Sequence, residues 1–138
     1  MQGMPKLVTR KLLVIDCRIA MCRVIGRAAE RHGFAVQLVD TPLQAIDRFL
    51  VFQPDLVILD MVMPDIAATE VLSALLDSGV PTRIVLTTSP GIGEAYLALA
   101  EGVARFHGVA PRVLFKPFRI AELIEVLDAE VPPDHLTR

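Results

Sequence analysis

Three charged residues stand where apolar runs stop. Asp60 closes Leu56-Val57-Ile58-Leu59 and precedes Met61-Val62-Met63-Pro64, Asp16 closes Leu12-Leu13-Val14-Ile15, and Lys116 follows Val113-Leu114-Phe115 just before Pro117. A charge at the end of a buried strand is lifted to a rim where a ligand can reach it, and three such rims suggest one site. Two carboxylates in one cleft repel, and each is hard to keep ionised without a cation between them. Lys116 supplies part of that charge and a divalent metal the rest. An oxygen-rich, water-retaining site suits Mg²⁺ better than zinc. Thr87 and Thr88 end a further run and place a hydroxyl near Asp60. Carboxylate, cation, ammonium and hydroxyl together describe a phosphoryl acceptor. The carboxylate is the nucleophile, the metal and ammonium stabilise the transferring oxygens, and the hydroxyl senses the bound group. The chain has neither a Cys/His cluster at zinc spacing nor a Ser-His-Asp set.

Positioning these residues requires strands and helices in alternation. Apolar runs at 11–16, 35–39, 55–60, 83–88 and 112–115 read as five strands, separated by stretches with helical spacing, the pattern of a parallel sheet buried on both faces. The expected helix stripes are Met21, Ile25 and Ala28; Leu43, Ile46, Phe49 and Leu50; Ala68, Val71, Leu72, Leu75 and Leu76; Ile92, Leu99, Val103 and Phe106; and Ile120, Leu123, Ile124 and Leu127. Gly33 is placed to stop the first helix. Thr41-Pro42-Leu43-Gln44 reads as an N-cap, a first-turn proline and a capping-box glutamine. Pro90, Gly91, Gly93 and Gly102 weaken the fourth helix. Right-handed crossovers then give an α/β fold, a doubly wound five-stranded parallel sheet of flavodoxin-like (βα)5 type in the order 2-1-3-4-5, whose sites lie at the carboxyl ends of the strands. In that order the first and third strands are neighbours, so Asp16 and Asp60 face each other.

Composition narrows the classes. The 138 residues suit one compact domain, read as 11–130, with 1–10 an N-terminal extension and 131–138 a tail. Hydrophobic residues make up 53% and the formal net charge is -2, which gives no basic excess for nucleic acid. Cys17 and Cys22 lie too close in sequence for a natural disulfide, consistent with a reducing cytoplasm. The N-terminus lacks a secretory pattern, and no apolar run approaches the ~20 residues of a membrane helix. A soluble, cytoplasmic protein without membrane insertion is expected.

These residues resemble the receiver domain of two-component response regulators. The resemblance covers roughly residues 11 to 130 and is carried by Leu12-Leu13-Val14-Ile15-Asp16, the run from Pro54 to Pro64, Leu86-Thr87-Thr88 and Leu114-Phe115-Lys116-Pro117-Phe118. It implies Asp60 as the phosphoacceptor, Asp16 as an acidic metal-site residue, Thr87 as the switch hydroxyl and Lys116 as the lysine on the phosphoryl group. It also implies the Val62 backbone carbonyl as a ligand of Mg²⁺ and a cis Lys116-Pro117 bond. The expected partners are a histidine kinase or phosphotransfer protein and a downstream protein. No enzymatic turnover is expected beyond self-catalysed aspartyl phosphorylation. With no output domain following, the expectation is a stand-alone receiver, a monomer or weak dimer, that signals by protein contact.

The chain departs from the family at four places. The usual acidic pair is Asp16-Cys17, so a thiol stands where a carboxylate commonly binds the metal. Weaker Mg²⁺ binding and slower self-phosphorylation are expected. The segment Asp65-Ile66-Ala67-Ala68 replaces the usual Asp-Gly turn, Val113 stands where an aromatic switch residue is common, and the stretch from His107 to Arg112 is one residue longer. A receiver-like interaction module working without phosphorylation is the competing function. An aspartyl phosphatase fits less well because Val62 holds its general-acid position, and a flavodoxin because Cys17-Arg18-Ile19-Ala20-Met21 is no phosphate loop. Cys22 reads as core, Asp55, Asp65 and Thr88 as structural, His32, His107 and His135 as solvated, and Arg112 and Arg119 as surface charge.

Overall fold

The computed structural model describes residues 9–63, 67–91 and 94–129. The expectations that fall on Asp65, Ile66, Ile92, Gly93, His135 and the tail lie outside those residues. Strands and helices alternate: β1 (Lys11–Ile15), α1 (Ile19–Arg31), β2 (Ala35–Val39), α2 (Pro42–Phe52), β3 (Leu56–Asp60), α3 (Ala67–Asp77), β4 (Arg83–Thr88), α4 (Glu94–Phe106), β5 (Arg112–Phe115) and α5 (Ile120–Asp128). The strands are parallel and ordered β2-β1-β3-β4-β5, as expected.

The near-continuous apolar strands follow from burial on both faces, because successive side chains point to opposite sides. Leu13, Ile15, Val57, Leu59, Ile84 and Leu86 pack on the side covered by Phe49, Leu72 and Ala100 of α2, α3 and α4. Leu12, Val14, Leu56, Ile58, Val85 and Leu114 pack with Ile25, Leu123 and Leu127 of α1 and α5. Gly26 lets α1 sit close on β2, since a Cβ there would lie 3.2 Å from Leu38 Cδ2. Gly33 adopts φ +89 just past α1, a left-handed conformation that suits glycine and ends the helix. Among the described residues no helix is long and apolar enough to cross a membrane.

Helix phases differ from the expected stripes at several positions. In α2 the buried residues are Ala45 and Phe49, while Leu43 is 88% exposed and Leu50 is also exposed. Pro42 opens that helix, but Thr41 makes no side-chain cap bond, so the expected capping box is not formed. In α4 the buried residues are Ala100 and Ala104, with Leu97 packed against the core cluster that holds Ala100; Leu99 is exposed and Phe106 is 87% exposed. Ile120 of α5 is exposed too, and Val126 is buried beside Leu123 and Leu127. The cause in α4 is steric. Residues 97, 100 and 104 have the same helical spacing as 99, 103 and 106, and alanines allow the closer approach to the sheet.

Two histidines tie helices together rather than standing free in solvent. His107 Nε2 lies 2.7 Å from Asp77 Oδ1 and joins the ends of α3 and α4, and His32 Nε2 lies 3.2 Å from Asp128 Oδ2. Phe49→Ala is expected to cost about 3–5 kcal/mol in urea unfolding. Phe106→Ala should stay within about 0.5 kcal/mol, and equal losses would contradict the observed phase of α2 and α4.

Candidate functional site

Strand register builds the site. Ile15 pairs with Leu59, so Asp16 and Asp60 emerge side by side; Asp60 pairs with Thr87, and Thr88 pairs with Phe115, the residue before Lys116. The ladder continues past the strand ends, where the Asp16 N–H donates to the Val39 carbonyl at 3.0 Å and the Lys116 N–H to the Thr88 carbonyl at 2.7 Å. Alternation places Asp16, Asp60 and Thr87 on the face shared with Val14, Ile58 and Val85, and puts Thr88 on the opposite face. Lys116 is followed by the cis Lys116-Pro117 bond.

The charged groups lie below the surface, with Asp60 at 0%, Asp16 at 1% and Lys116 at 6% exposure. Lys116 Nζ donates to Asp16 Oδ2 at 2.9 Å and stands 3.4 Å from Asp60 Oδ1. Backbone donors also hold the carboxylates: the Arg18 N–H meets Asp16 Oδ1 at 2.9 Å, and the Val62 N–H meets Asp60 Oδ1, the oxygen that Lys116 approaches, at 2.9 Å. Asp60 Oδ2 is buried without a hydrogen-bond partner, as are the hydroxyls of Thr87 and Thr88. Burial is the largest influence on Asp60. Together with the Asp16 charge it pushes the carboxyl from 3.8 up to about 6, against the opposing pull of the Val62 N–H and Lys116.

Asp16, Cys17 and Asp60 bring one ligand atom each to within 4.8 Å of one another. The Cys17 thiol is exposed and points toward the Val62 carbonyl, with Sγ to O at 3.7 Å. The unpartnered Asp60 oxygen and this carbonyl suit a divalent cation, and the thiol is the one poor donor for a hard ion such as Mg²⁺. Burial, followed by the charges of Asp60 and Asp16, raises the Cys17 pKa. The thiol is therefore neutral near pH 7 without a cation.

Fold and site together define a doubly wound α/β protein with an acidic pocket at the switch point of its sheet. Residues 12–128 match the family of the response regulator receiver domain. The chain belongs to that family, the phosphoacceptor domains of two-component response regulators, which are not turnover enzymes of the usual kind. The response regulator MprA of Mycobacterium sp. (strain KMS) is 29% identical over 114 residues, 83% of this chain and 47% of that protein. The chain thus spans about half the length of the curated relatives it matches. Among solved structures, the chemotaxis protein CheY4 of Vibrio cholerae superposes with TM-score 0.74 at 20% identity, over 87% of this chain and 97% of that one. A response regulator from Burkholderia pseudomallei, solved with a phosphorylated aspartic acid, a calcium ion and citrate, gives TM-score 0.73 at 19% identity, over 93% of this chain and 71% of that one. At these identities the solved structures speak for the fold.

The structure brings together Asp16, Asp60 and Lys116, sets Thr87 in register with Asp60, and turns the Val62 carbonyl toward Cys17. Sequence reading missed the Val62 and Arg18 N–H groups that hold the carboxylates. It also missed Cys22, whose Sγ lies 3.3 Å from the Asp16 carbonyl beneath the site. The tendency of an aspartate to accept from the N–H two residues after it was the available signal. Asp60 binds its proton more tightly folded than unfolded. Its stabilising contribution is therefore present below its ordinary pKa and lost as pH rises through about 6. Asp60→Asn is expected to be more stable than the native chain by about 1–3 kcal/mol near pH 8, the gap closing near pH 4 in urea unfolding. A gap independent of pH would contradict a buried, strained charge.

Proposed function

We propose that Asp60 accepts a phosphoryl group from a phosphohistidine of a histidine kinase or phosphotransfer protein, and that the chain passes the signal on by contact with a downstream protein. The observation that carries this reading is the pair of buried, unpartnered oxygens, Asp60 Oδ2 and Thr87 Oγ1, on in-register neighbouring strands beside a bridging lysine. The phosphorylated aspartic acid in the similar Burkholderia structure supports the same chemistry.

Asp60 Oδ2 has its lone pairs free and is the attacking atom. As its bond to phosphorus forms, the bond from phosphorus to the donor nitrogen breaks, and the donor ring, protonated on its second nitrogen, leaves as neutral imidazole. The Val62 N–H keeps hold of Oδ1 and fixes the carboxylate plane. Lys116, poised between two carboxylates, follows the negative charge to the phosphoryl oxygens. The Thr87 hydroxyl, unpartnered beforehand, donates to the same oxygens. Asp16, Asp60 and the Val62 carbonyl would hold a divalent cation, which when bound neutralises charge on the transferring group.

Movement of Thr87 and Lys116 pulls on β4 and β5 and so biases the face of α4, β5 and α5 between two arrangements. That face exposes Tyr96, Leu99, Phe115 and Ile120, an apolar set suited to a protein partner. Val113 is half-buried there, so the movement does not use an aromatic at that position.

The test is intact mass after incubation with a phosphohistidine donor and a divalent cation, with Asp60→Ala in parallel. One phosphoryl adduct is expected on the native chain and none on the variant. The initial rate should fall at acid pH, because the ionised carboxyl is the nucleophile. No adduct from a competent donor, or an adduct on Asp60→Ala, would overturn the reading.

A further inference from the structure

We propose that the cleft of Asp16, Cys17 and Asp60 takes a thiophilic divalent cation, of the Zn²⁺ and Co²⁺ class, in preference to Mg²⁺, with Cys17 Sγ as a direct ligand. Two observations carry it. The first is distance: the three ligand atoms lie within 4.8 Å of one another, and donors on one tetrahedral Zn²⁺ ion, at about 2.0–2.3 Å each, stand about 3.3–3.8 Å apart. A closure of at most about 1.5 Å, within reach of side-chain rotation, brings them onto one ion.

The second is direction and access. Cys17 is exposed, and its sulfur lies 3.7 Å from the Val62 carbonyl, so thiol and carbonyl already line one wall of the cleft. Asp60 Oδ2, buried and without a hydrogen-bond partner, offers a carboxylate oxygen that a cation can take without breaking an existing bond. Sulfur, two carboxylate oxygens and a carbonyl make a four-donor set. Zn²⁺ accepts such mixed sets, whereas Mg²⁺ demands six oxygens at about 2.0–2.1 Å and gains little from sulfur.

The sulfur donor at position 17, in place of an oxygen, thus selects the metal.

This inference concerns the same pocket as the phosphoacceptor reading, but its readout needs no phosphodonor, so either can fail alone. The full reduced chain is titrated with Co²⁺ under argon and the near-ultraviolet sulfur-to-cobalt charge-transfer band is followed. The native protein and Cys22→Ser should both show the band, Cys17→Ser should lose it, and Zn²⁺ should displace Co²⁺ at stoichiometric amounts. An excess of Mg²⁺ of about 100-fold should leave the band in place. Zn²⁺ affinity should fall at least about tenfold in Cys17→Ser, while Cys17→Asp should lose the band and bind Mg²⁺ more tightly than the native chain. The absence of a band in the native protein, its survival in Cys17→Ser, or its loss to equimolar Mg²⁺ would overturn the proposal.

Discussion

Two carboxylates sharing one ammonium below the surface are the constraint on which the rest of this molecule depends. Asp16 and Asp60 are almost completely buried, Lys116 touches the first at 2.9 Å and approaches the second at 3.4 Å, and one negative charge remains in excess. Removing carboxylates from water is costly, and the lysine alone does not offset both. The raised pKa of Asp60 expresses that imbalance, as does its unpartnered oxygen. A site short of positive charge and of donors is stabilised by whatever brings them, a divalent cation above all. It is also reorganised when a phosphoryl group adds negative charge.

The fold holds this imbalance in place through backbone rather than side-chain bonds. Parallel register delivers Asp16, Asp60 and Thr87 to one edge of the sheet on one face, and Lys116 enters from β5 through the Thr88 carbonyl. Apolar layers on both sides of the strands leave the strand ends little freedom to relax. The N–H groups of Arg18 and Val62 fix one oxygen of each aspartate and leave the remaining atoms aimed at the cleft. Cys17 alters the charge balance without altering this frame.

The strands and their order were legible because a parallel sheet buried on both faces writes itself as apolar runs, and each run ended on a polar or charged group. Period-two alternation along the strands also separates Thr87 from Thr88, since only the first shares the face of Asp60. Helix phase was less legible. In α4 two stripes of equal periodicity compete, and the larger residues, Leu99 and Phe106, face outward while Ala100 and Ala104 seat the helix. Contacts between distant segments, such as His107 with Asp77 or Arg83 with the carbonyls ending α5, leave no local pattern in the sequence. The backbone donors of the site were hidden for a related reason: every residue carries an N–H, and only the turn geometry decides which ones meet a carboxylate.

The most direct measurement of the central claim is a ¹³C NMR titration of the Asp60 side-chain carboxyl in the unphosphorylated, metal-free chain. A buried pocket with excess negative charge predicts a midpoint near the value of about 6, well above the ordinary 3.8. A midpoint at or below the ordinary value would mean that the charges are balanced or solvated, and would contradict the account.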